Sequence, residues 1–413
     1  FPSLSYPWIR LCSGRVAPGC GAGRQLESGA MIYLDYNATT PLDGRVRNRF
    51  LEVLDGVPGN AASLQHSPGR MAGTVVEESR KQTAEALGVS PSEIVWTSGA
   101  TEATAIAVFG IVASSPSASR TILLSPTEHK AVIAAAELCE KTLGAHLVWL
   151  EVDEDGVVSP ESVARRISDD VCLVATMHAN NETGVINPID EIAEVVSKSD
   201  SALFVDCTQS LGKVDIQEIL RLTTLAAFSS HKAYGTKGVG ALVVDSLVKK
   251  RLVSIQPGGG QEQGIRGGTH NTAGIAAAAL AFELCVSEGG ADARQARQQT
   301  ELLMTELRRG ISDVTLISGE SPRLMNTLNV RFIGADAEAV MVNAPEIAVS
   351  TGSACNAASP EPSHVLTAMG MPRQAAEECI RFSVGRFTTT TEIASAVEIV
   401  TRAVTRVRQV TAA

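Results

Sequence analysis

Apolar positions along this chain fall into two alternating patterns. Short, nearly continuous apolar runs, such as residues 171–177 and 202–206, read as strands buried on both faces. Between them lie longer stretches with helical spacing. The pattern predicts a helix over 71–87 closed by Gly88, a strand over 93–97, and an apolar helix from Thr101. It continues with strand 121–125, helix 131–143, strand 147–150, helix 160–167, strand 171–177 and helix 189–197. Strands over 202–206, 225–229 and 240–244 complete the series. This spacing implies an α/β fold with a mostly parallel sheet between helices. After the Gly-rich 257–260 the character changes. A long helix over 272–310, strands at 328–332 and 347–350, and a closing helix over 392–407 predict a smaller α+β unit. The longest apolar stretch, around Ala273–Phe282, is too Ala-rich and short for a bilayer and is expected to be a buried helix.

Residues 1–30 do not share this patterning. They are rich in Pro, Ser, Gly and Arg, with no acidic residue before Glu27, and Met31 directly precedes an apolar segment. They are expected to be a leader foreign to the fold, a transit peptide or a disordered arm. The transit-peptide reading would send the protein to mitochondria; otherwise a cytoplasmic location is expected.

Composition narrows the function. Of 413 residues, 44% are apolar and 4% aromatic, so the core must be aliphatic. The net charge of −10, without a Lys/Arg block, argues against nucleic-acid or anionic-membrane partners. The eight cysteines are scattered, with no C-x-x-C pair and no metal spacing, so no metal site is expected and a reducing compartment is. All nine lysines lie at or before Lys250, so chemistry that needs an amine has few candidates.

Ligands of open α/β sheets bind beyond the carboxyl ends of strands, and six such ends carry polar residues. Ser98-Gly99-Ala100-Thr101-Glu102 offers either a phosphate cradle of helix N–H groups or a plain N-cap by Ser98 or Thr101. In Thr127-Glu128-His129-Lys130 the imidazole is a ligand-stacking or structural group. Asn180-Asn181-Glu182-Thr183-Gly184 supplies amides or simply a turn. Asp206, ending an apolar strand with Gln209 three residues on, needs a cation or several donors; a helix cap is the alternative. Ser229-Ser230-His231-Lys232 places an amine at a strand end, where it suits condensation with an aldehyde or simple exposure. Cys355 lies in the Gly/Ser/Pro-rich 350–363, which is expected to be a mobile loop carrying a reactive thiol. The other seven cysteines are expected to be inert. Gly235–Gly240 and Gly258–Gly260 lack the context of a dinucleotide fingerprint.

Together these segments resemble the fold-type I pyridoxal-phosphate enzymes, and among them the cysteine desulfurases of the NifS/IscS type. The resemblance runs from Met31 to about Arg408. It rests on "YLDYNATTPL" (33–42), "TEHKAVI" (127–133), "NNETGV" (180–185), "VDCTQSLGKV" (205–214), "SSHKAYGTKGVGAL" (229–242), "STGSACNAASPEPSHVL" (350–366) and "IRFSVGRFT" (380–388). It implies a seven-stranded large domain over 45–272 and a small domain formed by 31–44 and 273–413, carrying the Cys loop. It also implies that Lys232 bonds covalently to pyridoxal 5'-phosphate. Asp206 would then pair with the ring nitrogen, Gln209 and Asn181 would serve the phenolic oxygen, and His129 would stack and shuttle protons. Ala100, Thr101, Ser229 and His231 would hold the phosphate, and Thr269 would reach the phosphate of a neighbouring subunit in a homodimer. Arg381, helped by Asn181, would take the carboxylate of L-cysteine, and Cys355 would receive its sulfur as a persulfide, leaving L-alanine. A sulfur-acceptor protein, an iron–sulfur scaffold or a thio-modification enzyme, is the implied partner. Arg266-Gly267-Gly268-Thr269 and Ser229-Ser230-His231-Lys232 depart slightly from the IscS patterns, and only 27 residues follow Arg386, which leaves a specialised sulfur-transfer role open. Selenocysteine lyase and a class V aminotransferase share the framework and are the alternatives.

Overall fold

The computed structural model describes residues 31–351 and 362–411. Its strands are β1 (Ile32–Tyr33), β2 (Ile94–Thr97), β3 (Thr121–Leu124), β4 (His146–Trp149), β5 (Val171–Met177), β6 (Ala202–Asp206), β7 (Leu225–Ser229), β8 (Gly240–Val244), β9 (Val314–Leu316), β10 (Thr327–Phe332), β11 (Ile347–Ala348) and β12 (Cys379–Ser383). Seven of them form one sheet in the order β2-β8-β7-β6-β5-β3-β4. β3 to β7 pair in parallel, whereas β8 runs antiparallel to both neighbours. The sheet is mostly parallel because each connection from β3 to β7 returns through a helix before the next strand begins.

Successive residues of these strands face opposite cores. Leu203 and Val205 join one apolar cluster, and Ala202 and Phe204 join the other. In β7, Ala226 and Phe228 face the first cluster while Leu225 and Ala227 face the second. Helices Ser67–Leu87, Ile189–Val196 and the start of Thr272–Gly310 close the first face. Helices Ala100–Ser114 and Lys130–Leu143 close the second. This two-sided burial explains why the strands are continuous apolar runs rather than alternating ones.

Helix Thr272–Gly310 has 39 residues and extends about 58 Å at 1.5 Å per residue. Its apolar half meets the length and composition of a membrane span, but it is largely buried within the fold. Its far end carries Leu303 and Leu307 into a third cluster with β10, β12 and helix Thr390–Thr411. Ile32 and Leu34 from the start of the described chain belong to that third cluster. There β12, β10 and β9 form an antiparallel sheet, and β1 pairs in parallel with β11.

Most element boundaries lie within a few residues of those expected from the sequence. The helix expected from Met71 starts at Ser67 because the His66 ring caps it, Nδ1 accepting from Gly69 N at 3.1 Å. Helix Gly44–Gly56 begins ahead of Leu51, where the alternating pattern first became readable; only Val46 and Val53 are fully buried among its charges. The strand expected over 347–350 pairs only through Ile347 and Ala348. Ser350 instead exchanges backbone hydrogen bonds with Arg381, at 2.7 and 3.2 Å.

Candidate active site

A cavity of about 540 Å³ opens at the carboxyl ends of β5, β6 and β7, beside the turn after β2. At that turn Gly99 is the N-cap of helix Ala100–Ser114 and no side chain caps it. Neither Ser98 nor Thr101 performs the capping that the sequence left open. The Ser98 N–H is instead taken by the Glu102 carboxylate, which Arg266 holds at 2.9 Å. The helix end therefore presents its N–H groups to the cavity, the arrangement that favours an anion. Glycine is required here: φ of Gly99 is 155°, and a Cβ on neighbouring Gly240 would meet Gly99 Cα at 2.6 Å.

After β3, His129 caps helix Lys130–Leu143, its Nδ1 accepting from Ala131 N at 3.1 Å. An accepting Nδ1 leaves the proton of the neutral ring on Nε2. Burial pushes the imidazole down, with Asp206 opposing and Lys232, His364 and Lys130 assisting. His129 is thus both a helix cap and a cavity wall. Glu128 is fully buried; one oxygen accepts from His129 N at 2.9 Å and the other has no partner. Burial first, then the charge of Asp206, raises this carboxyl well above its usual range.

The two asparagines after β5 divide their labour. Asn180 ties the turn, accepting from the backbone of Glu182 at 2.8 Å and Thr183 at 3.0 Å. Asn181 lines the cavity, and its carbonyl accepts from Arg381 Nη1 at 2.9 Å. Asp206 ends β6, buried, with Oδ1 accepting from Thr208 N at 2.8 Å. Gln209 donates to Asn37 O at 2.9 Å and accepts from Lys213 Nζ at 2.6 Å. Lys213 is buried among neutral acceptors, and that burial, followed by the charge of Lys232, pushes it down to about 7.

Ser229 ends β7, and His231 and Lys232 follow it on the cavity wall. The Lys232 amine donates to the carbonyls of Asn37 and, at 2.8 Å, Ala38. His231 Nδ1 lies 3.2 Å from Thr39 Oγ1, and burial, followed by Lys232 and Lys237, pushes the ring down to about 4. Arg381 enters from β12. Its Nη2 pairs with Asp35 at 2.6 Å, and its Nε is buried without a partner.

The cavity thus gathers Ala100, Thr101, His129, Asn181, Asp206, Gln209, Ser229, His231, Lys232 and Arg381. Thr269 is exposed and is not on this wall. Cys355 lies outside the described residues. The five described cysteines, 139, 172, 207, 285 and 379, are free and buried. Burial raises the thiol of each.

Asn37 went unassigned from the sequence, yet it connects most of the site. Its N–H donates to Ser383 Oγ at 2.9 Å, and its amide donates to Thr327 Oγ1 at 2.9 Å and Asn181 O at 3.1 Å. Its side-chain oxygen accepts from Asn326 at 3.0 Å and Lys213 at 3.3 Å, while its carbonyl takes Gln209 and Lys232. Asp35, Lys213 and Glu128 were likewise unassigned. The available signal was polar residues inside otherwise apolar motifs, Asp35 and Asn37 within 33–42 above all.

An amine, a strand-end carboxylate, a neutral imidazole and a helix N-terminus converge on one cavity of a mostly parallel α/β sheet, at the strand ends where such sheets bind ligands. Residues 32–395 match the family model described as aminotransferase class-V. The chain is 43% identical over 391 residues to a cysteine desulfurase of Frankia sp. (strain EuIK1), covering 92% of each. A solved NifS-like protein superposes with a TM-score of 0.83 at 32% identity, over 91% of this chain and all of that one. A structure titled SspA in complex with cysteine gives 0.75 at 31%, over 86% and 99%. The chain belongs to the aminotransferase class-V family, on the branch of its cysteine desulfurases.

Proposed function

We propose that this protein is a pyridoxal-phosphate-dependent cysteine desulfurase that moves the sulfur of L-cysteine to Cys355 and releases L-alanine. The observation that carries the reading is the single cavity in which Lys232, Asp206 and the uncapped N-terminus at Gly99 all face inward. These residues fit the cofactor's three handles. The Lys232 amine suits its aldehyde, Asp206 its cationic ring nitrogen, and the helix N–H groups with Thr101, Ser229 and His231 its phosphate. When bound, pyridoxal phosphate supplies a sink for negative charge developing at the substrate Cα.

The chain's own residues do the rest. Asp206 would pair with the cofactor's ring nitrogen. His129, neutral and with its proton on Nε2, would lie against the cofactor and would hold or pass protons at the substrate. Arg381 takes the substrate carboxylate, with Asn181 beside it. Lys232 would hold the cofactor's aldehyde and would serve as the base at the substrate Cα. Cys355 attacks as thiolate on the substrate sulfur: a sulfur–sulfur bond forms, the substrate Cβ–S bond breaks, and Cβ is protonated to give alanine. Thr269, exposed and away from its own cavity, serves the phosphate of a second copy in a homodimer. The persulfide then passes to an acceptor protein of iron–sulfur assembly or thio-modification. Five free thiols fit a reducing compartment, and we place the protein in the cytoplasm.

The test is an assay of sulfide and alanine from L-cysteine with a reductant, for wild type beside Cys355→Ala. Equal amounts of both products from wild type, and neither from the variant, are expected. Undiminished turnover in Cys355→Ala would remove the persulfide step. A Lys232→Ala protein that still holds the cofactor chromophore covalently would remove the lysine assignment.

A further inference from the structure

Arg381 sits in the middle of β12 and is 3% exposed. A guanidinium removed from water this completely is costly unless an anion accompanies it. Among the described residues, Asp35 is the one carboxylate within ion-pair reach, Oδ1 lying 2.6 Å from Nη2. Asp35 does not line the cavity, whereas Arg381 does. The acid therefore grips the arginine from behind.

Asp35 itself is fixed. Ser383 N donates to Leu34 O at 2.8 Å and Tyr36 N donates to Ser383 O at 3.2 Å, so the backbone is pinned on both sides of it. The Tyr33 hydroxyl donates to Asp35 O at 3.0 Å. On the arginine, Nη2 is committed to Asp35 and Nη1 to Asn181 O, while Nε–H is buried without an acceptor. Two anchored corners fix the plane of the guanidinium and leave Nε–H, and one N–H on each terminal nitrogen, for a ligand. Glu182, Tyr33 and Lys213 are the other titratable groups whose fields meet Arg381.

We infer that Asp35 is a positioning residue and counter-charge for Arg381, holding its fork toward the cavity while weakening its attraction for the carboxylate of an α-amino acid. This rests on the reading of Arg381 as carboxylate receptor. An incoming carboxylate meets a cation already half neutralised, so both the substrate and the alanine product are held loosely. Product leaves readily, and affinity is given up in exchange.

The experiment uses the holoenzyme as wild type, D35N, D35A and R381Q. L-alanine binding is followed by calorimetry, with ethylamine as the carboxylate-free control, and KM and kcat are measured for L-cysteine. D35N keeps an acceptor and removes the charge. Its alanine Kd and cysteine KM are expected to fall roughly three- to tenfold, as loss of one like charge nearby implies, with ethylamine unchanged. D35A also loses the acceptor, and its KM is expected above that of D35N. Unchanged or weaker alanine binding in D35N, or an equal change for ethylamine, overturns the inference. If R381Q binds alanine as wild type does, the carboxylate reading itself fails; if only R381Q has an effect, that reading stands and the role of Asp35 falls. D35E and D35Q give the same charge contrast one methylene longer, should D35N not fold.

Discussion

Two arginines five positions apart on one segment, Arg381 and Arg386, are buried in opposite ways. Arg386 is saturated. It meets Asp292 at 2.7 Å, Asp43 at 2.9 Å and Glu288 at 3.1 Å, and lies 4.5 Å over the Tyr234 ring. Arg381 has one carboxylate and a buried Nε with no acceptor. The same contrast separates their neighbourhoods. Around Arg386 every charge has an opposite charge within reach. Around the cavity, Lys213 rests on neutral oxygens and Glu128 has a bare oxygen. A saturated cluster has nothing left to offer a ligand and holds the fold. An under-satisfied one costs stability until a ligand completes it.

Mutation separates the two most sharply. Arg386→Met leaves Asp292 without its cation and takes one of two from Asp43 and Glu288, and it should cost about 3 kcal/mol in urea unfolding. Arg381→Met should lower kcat/KM for L-cysteine about 100-fold, and it should cost less in unfolding than Arg386→Met, because it breaks one ion pair where Arg386→Met breaks three. Equal loss of stability in both variants would erase the distinction.

Acid comes next. Asp43 is held at about 2, below its usual 3.8, chiefly by the hydrogen bond from Arg45 and against the effect of burial. A depressed carboxylate contributes stability that is complete above 3.8 and lost as pH falls through about 2. Fluorescence-monitored unfolding of Asp43→Asn should lack that slope.

The last effect belongs to the cavity side, with the opposite sign. Glu128 is raised, so its contribution is complete below its unfolded pKa and lost as pH rises. Glu128→Gln should be more stable than wild type at pH 8 and equal to it at pH 4. Calorimetry at the two pH values decides it.

The sequence showed β5 to β8 to the residue because each is an apolar run buried on both faces. It hid β12, whose run is broken at its centre by Arg381. That charge is tolerable only because Asp35 arrives from more than three hundred residues earlier. The same reason separates the legible site residues from the missed ones. Lys232, Asp206 and His129 announce themselves locally, as polar groups where apolar runs stop. Asn37 has partners at 181, 209, 232, 326, 327 and 383, and no local pattern encodes such a set. The choice between cap and cradle at 98–102 was also beyond the sequence, because it turns on where one glutamate side chain reaches.

The position of Asn37 also orders the protein's birth. A ribosome releases about 5–20 residues each second. The seven-stranded sheet has all its strands once Val244 has emerged. Asn37, made far earlier, must wait on the order of 20–70 s for Ser383 before its last partner exists. A nascent chain therefore owns every strand of this sheet well before it owns a finished pocket floor.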